Sequence, residues 1–410
     1  MRLLSETHLK VLKNRNFLIL SIITFLFQAT TAFVLLSLIV SAFLKTDSNF
    51  AVSGVVLSFV SPAFLLTAIS GLAADLFDRR KILIVSNFIL SILVIMMIIA
   101  VQNVYILLAL SFLYFAVNSI FLPTASAISA QVASRKDLLI TNSIFLFTLA
   151  VGQLFGFFVS AIVQFFAGPV WNLVVCAFLS LILVWLSYFL PPLNPRLDKK
   201  TTSMKVIGEV TGAFIYIFKQ RSIRLFFVIF ALTQAAIAFG VTLAPGFFDD
   251  VVGISINKSP MLALPMVAIG VYLGISYVHN PEIRESYFVA QGLGIIGISG
   301  VILGLLLRFG LIYGLSLIFL VSIFLIVLGF GIIVSMVASR TVLQKRVNHN
   351  FQGSVFAATI ILGALFASVA SPLGAQMEKL FGYVNVIIFI GLALAAFSTF
   401  LFYSGEKANF

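Results

Sequence analysis

The chain has 410 residues, of which 61% are hydrophobic and only 9% charged, and its formal net charge is +12. A water-soluble domain of this length carries far more charge. A mean hydropathy of +1.19, with many apolar runs long enough to cross a bilayer as helices, identifies an integral membrane protein with many crossings. The runs are long and continuous, which excludes the short alternating strands of a membrane barrel. One cysteine, Cys176, excludes an internal disulfide framework and a paired-cysteine metal site.

Twelve spans are expected, at about 17–44, 50–74, 82–101, 104–131, 138–166, 169–191, 223–248, 259–280, 286–307, 310–339, 352–377 and 382–403. The first is too long for a cleaved signal and is read as a retained span. Between the second and third lies GLAADLFDRRK (71–81), where Asp75, Asp78, Arg79, Arg80 and Lys81 are packed into a short tether. The longest link, 192–222, opens with prolines and turns basic. Within it, 203–218 is either an interfacial amphipathic helix or a solvated linker.

The basic residues set an orientation. With both termini in the cytoplasm, 21 of the 25 Lys and Arg fall in inner segments, and only Lys45, Lys258, Arg308 and Lys379 fall outside. The positive charge then marks a cytoplasmic face near anionic lipid, and nucleic acid is not implied.

The chain also repeats itself. NRNFLILSIITFLFQATTAF (14–33) lies over QRSIRLFFVIFALTQAAIAF (220–239) at an offset of 206, with Arg15, Gln28 and Phe33 returning as Arg221, Gln234 and Phe239. The expected fold is all-α: twelve transmembrane helices in two parallel six-helix halves, 1–191 and 223–410, joined by a cytoplasmic linker at 192–222.

This layout resembles the major facilitator superfamily. The tether is similar to that superfamily's signature between spans two and three: a glycine, three residues, an aspartate, a basic residue, any residue, a glycine and two basic residues. Gly71, Asp75, Arg79 and Arg80 match it, while Leu76 and Asp78 depart. ADLFDRRK, with NRNF entering span one, FLPTASA late in span four and TVLQKRV before span eleven, resembles a subgroup of bacterial drug, macrolide and siderophore exporters. The resemblance implies a gating motif of Gly71, Asp75, Asp78, Arg79, Arg80 and Lys81. In it, Asp75 meets the start of span eleven and the cations pair with acids or lipid phosphate. The alternative is a turn whose cations only set orientation.

No ionisable residue falls in the middle of any expected span. Such residues mark proton relays, and many proton-coupled relatives carry an acid in span one, where this chain reads FQATTAF. Asp47, Asp249, Asp250 and Glu378 near the outer ends stand as titrating groups or as solvated loop charges. A proton as coupling ion therefore stays open. The substrate-binding candidates are neutral: Gln28, Thr31, Asn118 and Gln234, with Ser119, Asn142 and Gln153 behind them. Each serves either a substrate near the midplane or hydrogen bonding between helices.

Gly152 and Gly156 in span five, and Gly270 and Gly274 in span eight, read as helix-packing glycines. The resemblance places them where spans five and eight cross between the halves. Span five keeps the glycines of an exporter motif without its proline. Pro62, Pro123 and Pro372 are expected to kink their helices.

The expectation is a secondary transporter in the plasma membrane. It exports a small amphipathic compound by alternating access and acts as a monomer, without catalytic residues, cofactor or metal. The alternative is a facilitator, an importer or a lipid mover without proton coupling. No nucleotide-binding loop motif appears, so direct drive by ATP is not expected.

Overall fold

The computed structural model describes residues 11–407, apart from 12, 67–69, 71–72, 74–75, 133–137, 193–202, 279–284 and 348–351. Among these it is helical nearly throughout. Ten helices are long and apolar enough to cross a bilayer. One of them, 354–403, has 50 residues, about 75 Å at the helical rise and far longer than one crossing needs. It breaks at Gly382, whose φ of 75° an L side chain rarely adopts, and so contains spans eleven and twelve. Span two supplies the shorter apolar helix Asn49–Leu65.

Local chemistry sets several ends. Asp78 caps span three (Arg79–Ile99) by accepting from the backbone N–H of Arg80 at 3.0 Å. Asn103 caps span four by accepting from Tyr105 and Ile106. Span four is two helices, Val104–Asn118 and Phe121–Val132. Pro123 sits in the first turn of the second, where its missing N–H costs least, so the break falls at 119–120, just ahead of the expected kink. Pro62 and Pro372 lie inside continuous helices. Span seven (Arg221–Gly246) runs past Pro245 into a π-helical turn, Phe247–Val252.

Contacts divide the chain into two compact units: 1–46 with 62–206, and 47–61 with 207–410. Residues 47–61, the start of span two, thus group with the second unit, although the sequence division at 192–222 counts them with the first half.

In the first unit, span one (Arg15–Thr46) packs on span five (Leu138–Ala167) and span six (Pro169–Ser187), and span three packs on span six. Span one is the most enclosed helix, buried almost continuously from Ala29 to Phe43. In the second unit, span seven packs on span eleven, span eight (Ser259–Val278) on span ten (Gly314–Arg346), and span nine (Glu285–Arg308) on the helix holding spans eleven and twelve. One–five and seven–eleven are equivalent pairs, so the repeat read from residues 14–33 and 220–239 is also a repeat of packing.

The link contains a helix, Ser203–Lys219. Ala213 and Ile217 are buried in a cluster with Phe227, Val289 and Leu343, while Ile215 and Phe218 are exposed. From Ile207 onward it groups with the second unit, and it is not a plain solvated linker.

Candidate functional site

Gln28 and Gln234 hold the same register in spans one and seven, and their surroundings correspond as well. Gln28 lies against Gly152 of span five: a Cβ built there would stand 3.2 Å from Gln28 Cβ. Gln234 lies against Gly363 of span eleven, where a Cβ would stand 3.0 Å from Gln234 Cγ. In each unit a glutamine on the first helix rests on a glycine of the fifth.

Both glutamines are half-buried, and among the described residues neither amide has a hydrogen-bond partner. An unbonded amide in mid-span is costly against hydrocarbon. Ionisable side chains inside spans face the bundle interior or a water-filled cavity, and the same cost acts, more weakly, on an amide.

Thr31 and Asn118 are arranged differently. Asn118 Nδ2 donates to Thr31 Oγ1 at 2.9 Å, and the Thr31 hydroxyl donates to the Phe27 carbonyl at 2.9 Å. The buried Tyr114 hydroxyl shares bonds with both residues, and the Cys176 thiol, also buried, lies 3.6 Å from the Thr30 carbonyl. Spans one, four and six are thus tied by a polar knot whose bonding groups are occupied. Of the four substrate candidates, the two glutamines have free groups among the described residues, and the other two are bonded to each other.

The packing glycines make their close approaches inside their own units. A Cβ on Gly152 would lie 2.6 Å from the Phe25 carbonyl oxygen, and one on Gly156 2.5 Å from Ala29 Cα, both in span one. Gly270 and Gly274 face Ile326, Phe330 and Ile333 of span ten. The expectation set these glycines at a crossing of spans five and eight. The atoms nearest a Cβ on each of them belong to span one and span ten.

Of the tether motif, Gly71 and Asp75 lie outside the described residues. Asp78 is the cap of span three. Arg79 is buried, with Nη1 3.5 Å from the Ala127 carbonyl of span four. Arg80 Nη2 donates to the Tyr188 carbonyl at 2.6 Å, and its guanidinium lies 5.9 Å from the centre of the Tyr188 ring. Tyr188 follows the end of span six, so this cation meets the negative end of a helix. Lys81 is exposed and has no partner among the described residues.

A sequence profile described as Major Facilitator Superfamily matches residues 17–371. The chain belongs to the Major Facilitator Superfamily. It is a multi-pass membrane transporter with the major facilitator fold, all-helical, rather than an enzyme. Solved structures agree on the fold. The nucleoside transporter NupG superposes with a TM-score of 0.73 at 16% identity, covering 96% of this chain and 98% of that one. A POT family transporter in complex with 5-aminolevulinic acid gives 0.72 at 12% identity, covering 96% of each chain. A bacterial homolog of the human lysosomal transporter Spinster, inward-facing and unoccupied, gives 0.71 at 13%, covering 98% of each. No curated protein sequence matches the chain.

The sequence reading missed one polar cluster in this facilitator. Asn49, only 3% exposed, uses both ends of its amide. Oδ1 accepts from the Gly246 N–H at 3.4 Å, and Nδ2 donates to Tyr383 Oη at 2.6 Å and Glu378 Oε2 at 3.3 Å. Asp250, in the π-helical turn, bonds the same Tyr383 hydroxyl. The start of span two is thereby fastened to the end of span seven and to the turn between spans eleven and twelve. Asn49 sits in an ordinary loop sequence, DSNFAV, and nothing in its spacing marks it. Glu378 and Asp250, read as solvated charges or titrating groups, are both engaged here.

Proposed function

We propose that this protein is a secondary active transporter. It exports a neutral or weakly polar amphipathic organic compound from the cytoplasm by alternating access, with Gln28 in one unit and Gln234 in the other each offering a hydrogen-bonding amide. The observation that carries this reading is the pair of unbonded, half-buried amides at equivalent positions of the repeat. The absence of ionisable residues from the middle of the spans favours a substrate without a strong charge, because a buried ion demands a partner. Export is supported by the resemblance of the tether and of the span entries to the exporter subgroup. The structural neighbours named for nucleosides and for the POT family share the fold at low identity and leave the direction to experiment. The basic face is read as cytoplasmic in the plasma membrane.

The test is accumulation of a panel of labelled lipophilic compounds in everted vesicles, with and without a protonophore. Uptake that collapses with the protonophore and falls in Gln28→Ala supports coupled export through the amide pair. Uptake insensitive to the protonophore favours a facilitator. Uptake unchanged in both Gln28→Ala and Gln234→Ala removes the amides from the substrate path.

A further inference from the structure

The three consecutive cations of the tether are not equivalent. Arg79 and Arg80 reach the backbone carbonyls of Ala127 and Tyr188. Lys81 alone is exposed, with no protein partner among the described residues. It stands at the head of a groove of about 320 Å³ between spans two, three and four, lined by Phe77, Val85, Ile89, Val117 and Ile120. The only other polar side chain there, Ser86, donates its hydroxyl to the Leu83 carbonyl at 3.3 Å. Below its charged mouth, the groove offers no free polar group among the described residues.

Its direction follows from helix geometry. Lys81, Val85 and Ile89 are spaced four residues apart and share a face of span three. The eight residues from first to last span about 12 Å, most of the ~15 Å depth of one leaflet's hydrocarbon. The same helix continues in an exposed apolar stripe that includes Phe88, Ile92 and Ile99, a surface that suits lipid tails on a helix long and apolar enough to cross a bilayer. The groove therefore opens toward lipid, with its charged end at the membrane boundary.

We infer that this groove is a binding site for one anionic phospholipid of the leaflet on the basic side. An acyl chain lies along Val85 and Ile89, and the headgroup phosphate pairs with Lys81. Charge complementarity selects the occupant: an ammonium with no partner among the described residues, beside an apolar channel, matches a phosphate above a hydrocarbon tail, and each cation near the surface favours an anionic lipid by roughly fivefold. The site would hold a lipid beside the tether that joins spans two and three. Its lining includes neither Gln28 nor Gln234, and the inference holds whatever the transported compound is.

The experiment is native mass spectrometry of the purified full chain, titrated with phosphatidylglycerol or with phosphatidylcholine. The wild type should retain the first phosphatidylglycerol at about one fifth of the phosphatidylcholine concentration. Lys81→Gln, at an exposed position that does not disturb folding, should remove that preference while phosphatidylcholine still binds. Val85→Trp, also exposed, should weaken both lipids by filling the channel. Equal retention of the two lipids by the wild type, or an unchanged preference in Lys81→Gln, overturns the proposal. Undiminished binding of both lipids in Val85→Trp does the same for the groove.

Discussion

The two units match in their interiors and differ at their ends. In both, the first helix packs on the fifth through a glutamine set against a glycine, Gln28 on Gly152 and Gln234 on Gly363. At the ends the likeness fails. The first unit holds Arg79, Arg80 and Lys81 where spans two and three join, two of them fastened to carbonyls. The second holds Glu378 and Tyr383, both bonded to Asn49, and a π-helical turn whose Asp250 bonds Tyr383. The repeated part is neutral and close-packed, and the charges that distinguish the units lie at the helix ends. Desolvation accounts for this: an amide survives in mid-span at moderate cost, whereas an unpaired charge does not.

The sharpest way to break the comparison is to spoil the shared interior. Gly156→Leu should abolish a stable fold or cost about 3 kcal/mol or more, since even a Cβ falls 2.5 Å from the backbone of span one. Gly240→Leu, in span seven with nothing within 4 Å of its Cβ position, should leave the melting temperature unchanged. Detergent melting curves of the two variants read the contrast. Equal melting temperatures would deny that close packing is what the glycines provide.

The distinct end of the second unit is tested by Asn49→Ala. It strips two donors and an acceptor from a buried site and should cost about 2 kcal/mol in thermal stability. Tyr383→Phe should cost less, because Asn49 keeps Glu378 and Gly246. If Asn49→Ala melts like the wild type, the cluster is incidental.

The glutamines should act on transport and not on stability. Gln28→Ala and Gln234→Ala should each lower transport by about fivefold, the worth of one hydrogen bond of about 1 kcal/mol, with unchanged melting. Asn118→Ala should do the reverse, losing about 0.6 kcal/mol of stability with the Thr31 bond and little transport. A stability loss in Gln28→Ala equal to that in Asn118→Ala would place Gln28 in the packing set.

Most of the architecture was legible because it follows from quantities the chain states openly. Long apolar runs fix the helices, and the Arg15–Gln28–Phe33 spacing recurring at Arg221–Gln234–Phe239 announces two halves. The site was only partly legible. Gln28, Thr31, Asn118 and Gln234 look alike in sequence, since each is a neutral polar residue among apolar neighbours. Whether an amide is bonded depends on which helix lies opposite, and this separates Asn118 from Gln28. The glycine motifs pointed to close packing without the partner, because a small residue permits an approach and does not name who makes it. Asn49 was invisible for the same reason, its partners lying more than 190 residues away in the chain.

The central claim is that the paired amides face water or solute inside the membrane. It is tested most directly by cysteine labelling, in a Cys176→Ser background that keeps a donor toward the Thr30 carbonyl. Gln28→Cys and Gln234→Cys would be exposed in proteoliposomes to a membrane-impermeant cationic thiol reagent on both sides. The controls are Phe88→Cys in the lipid-facing stripe and Val94→Cys, which is fully buried. Both glutamine positions should react, and both controls should stay inert. Reaction at Gln28→Cys and Gln234→Cys no faster than at Phe88→Cys would contradict the account.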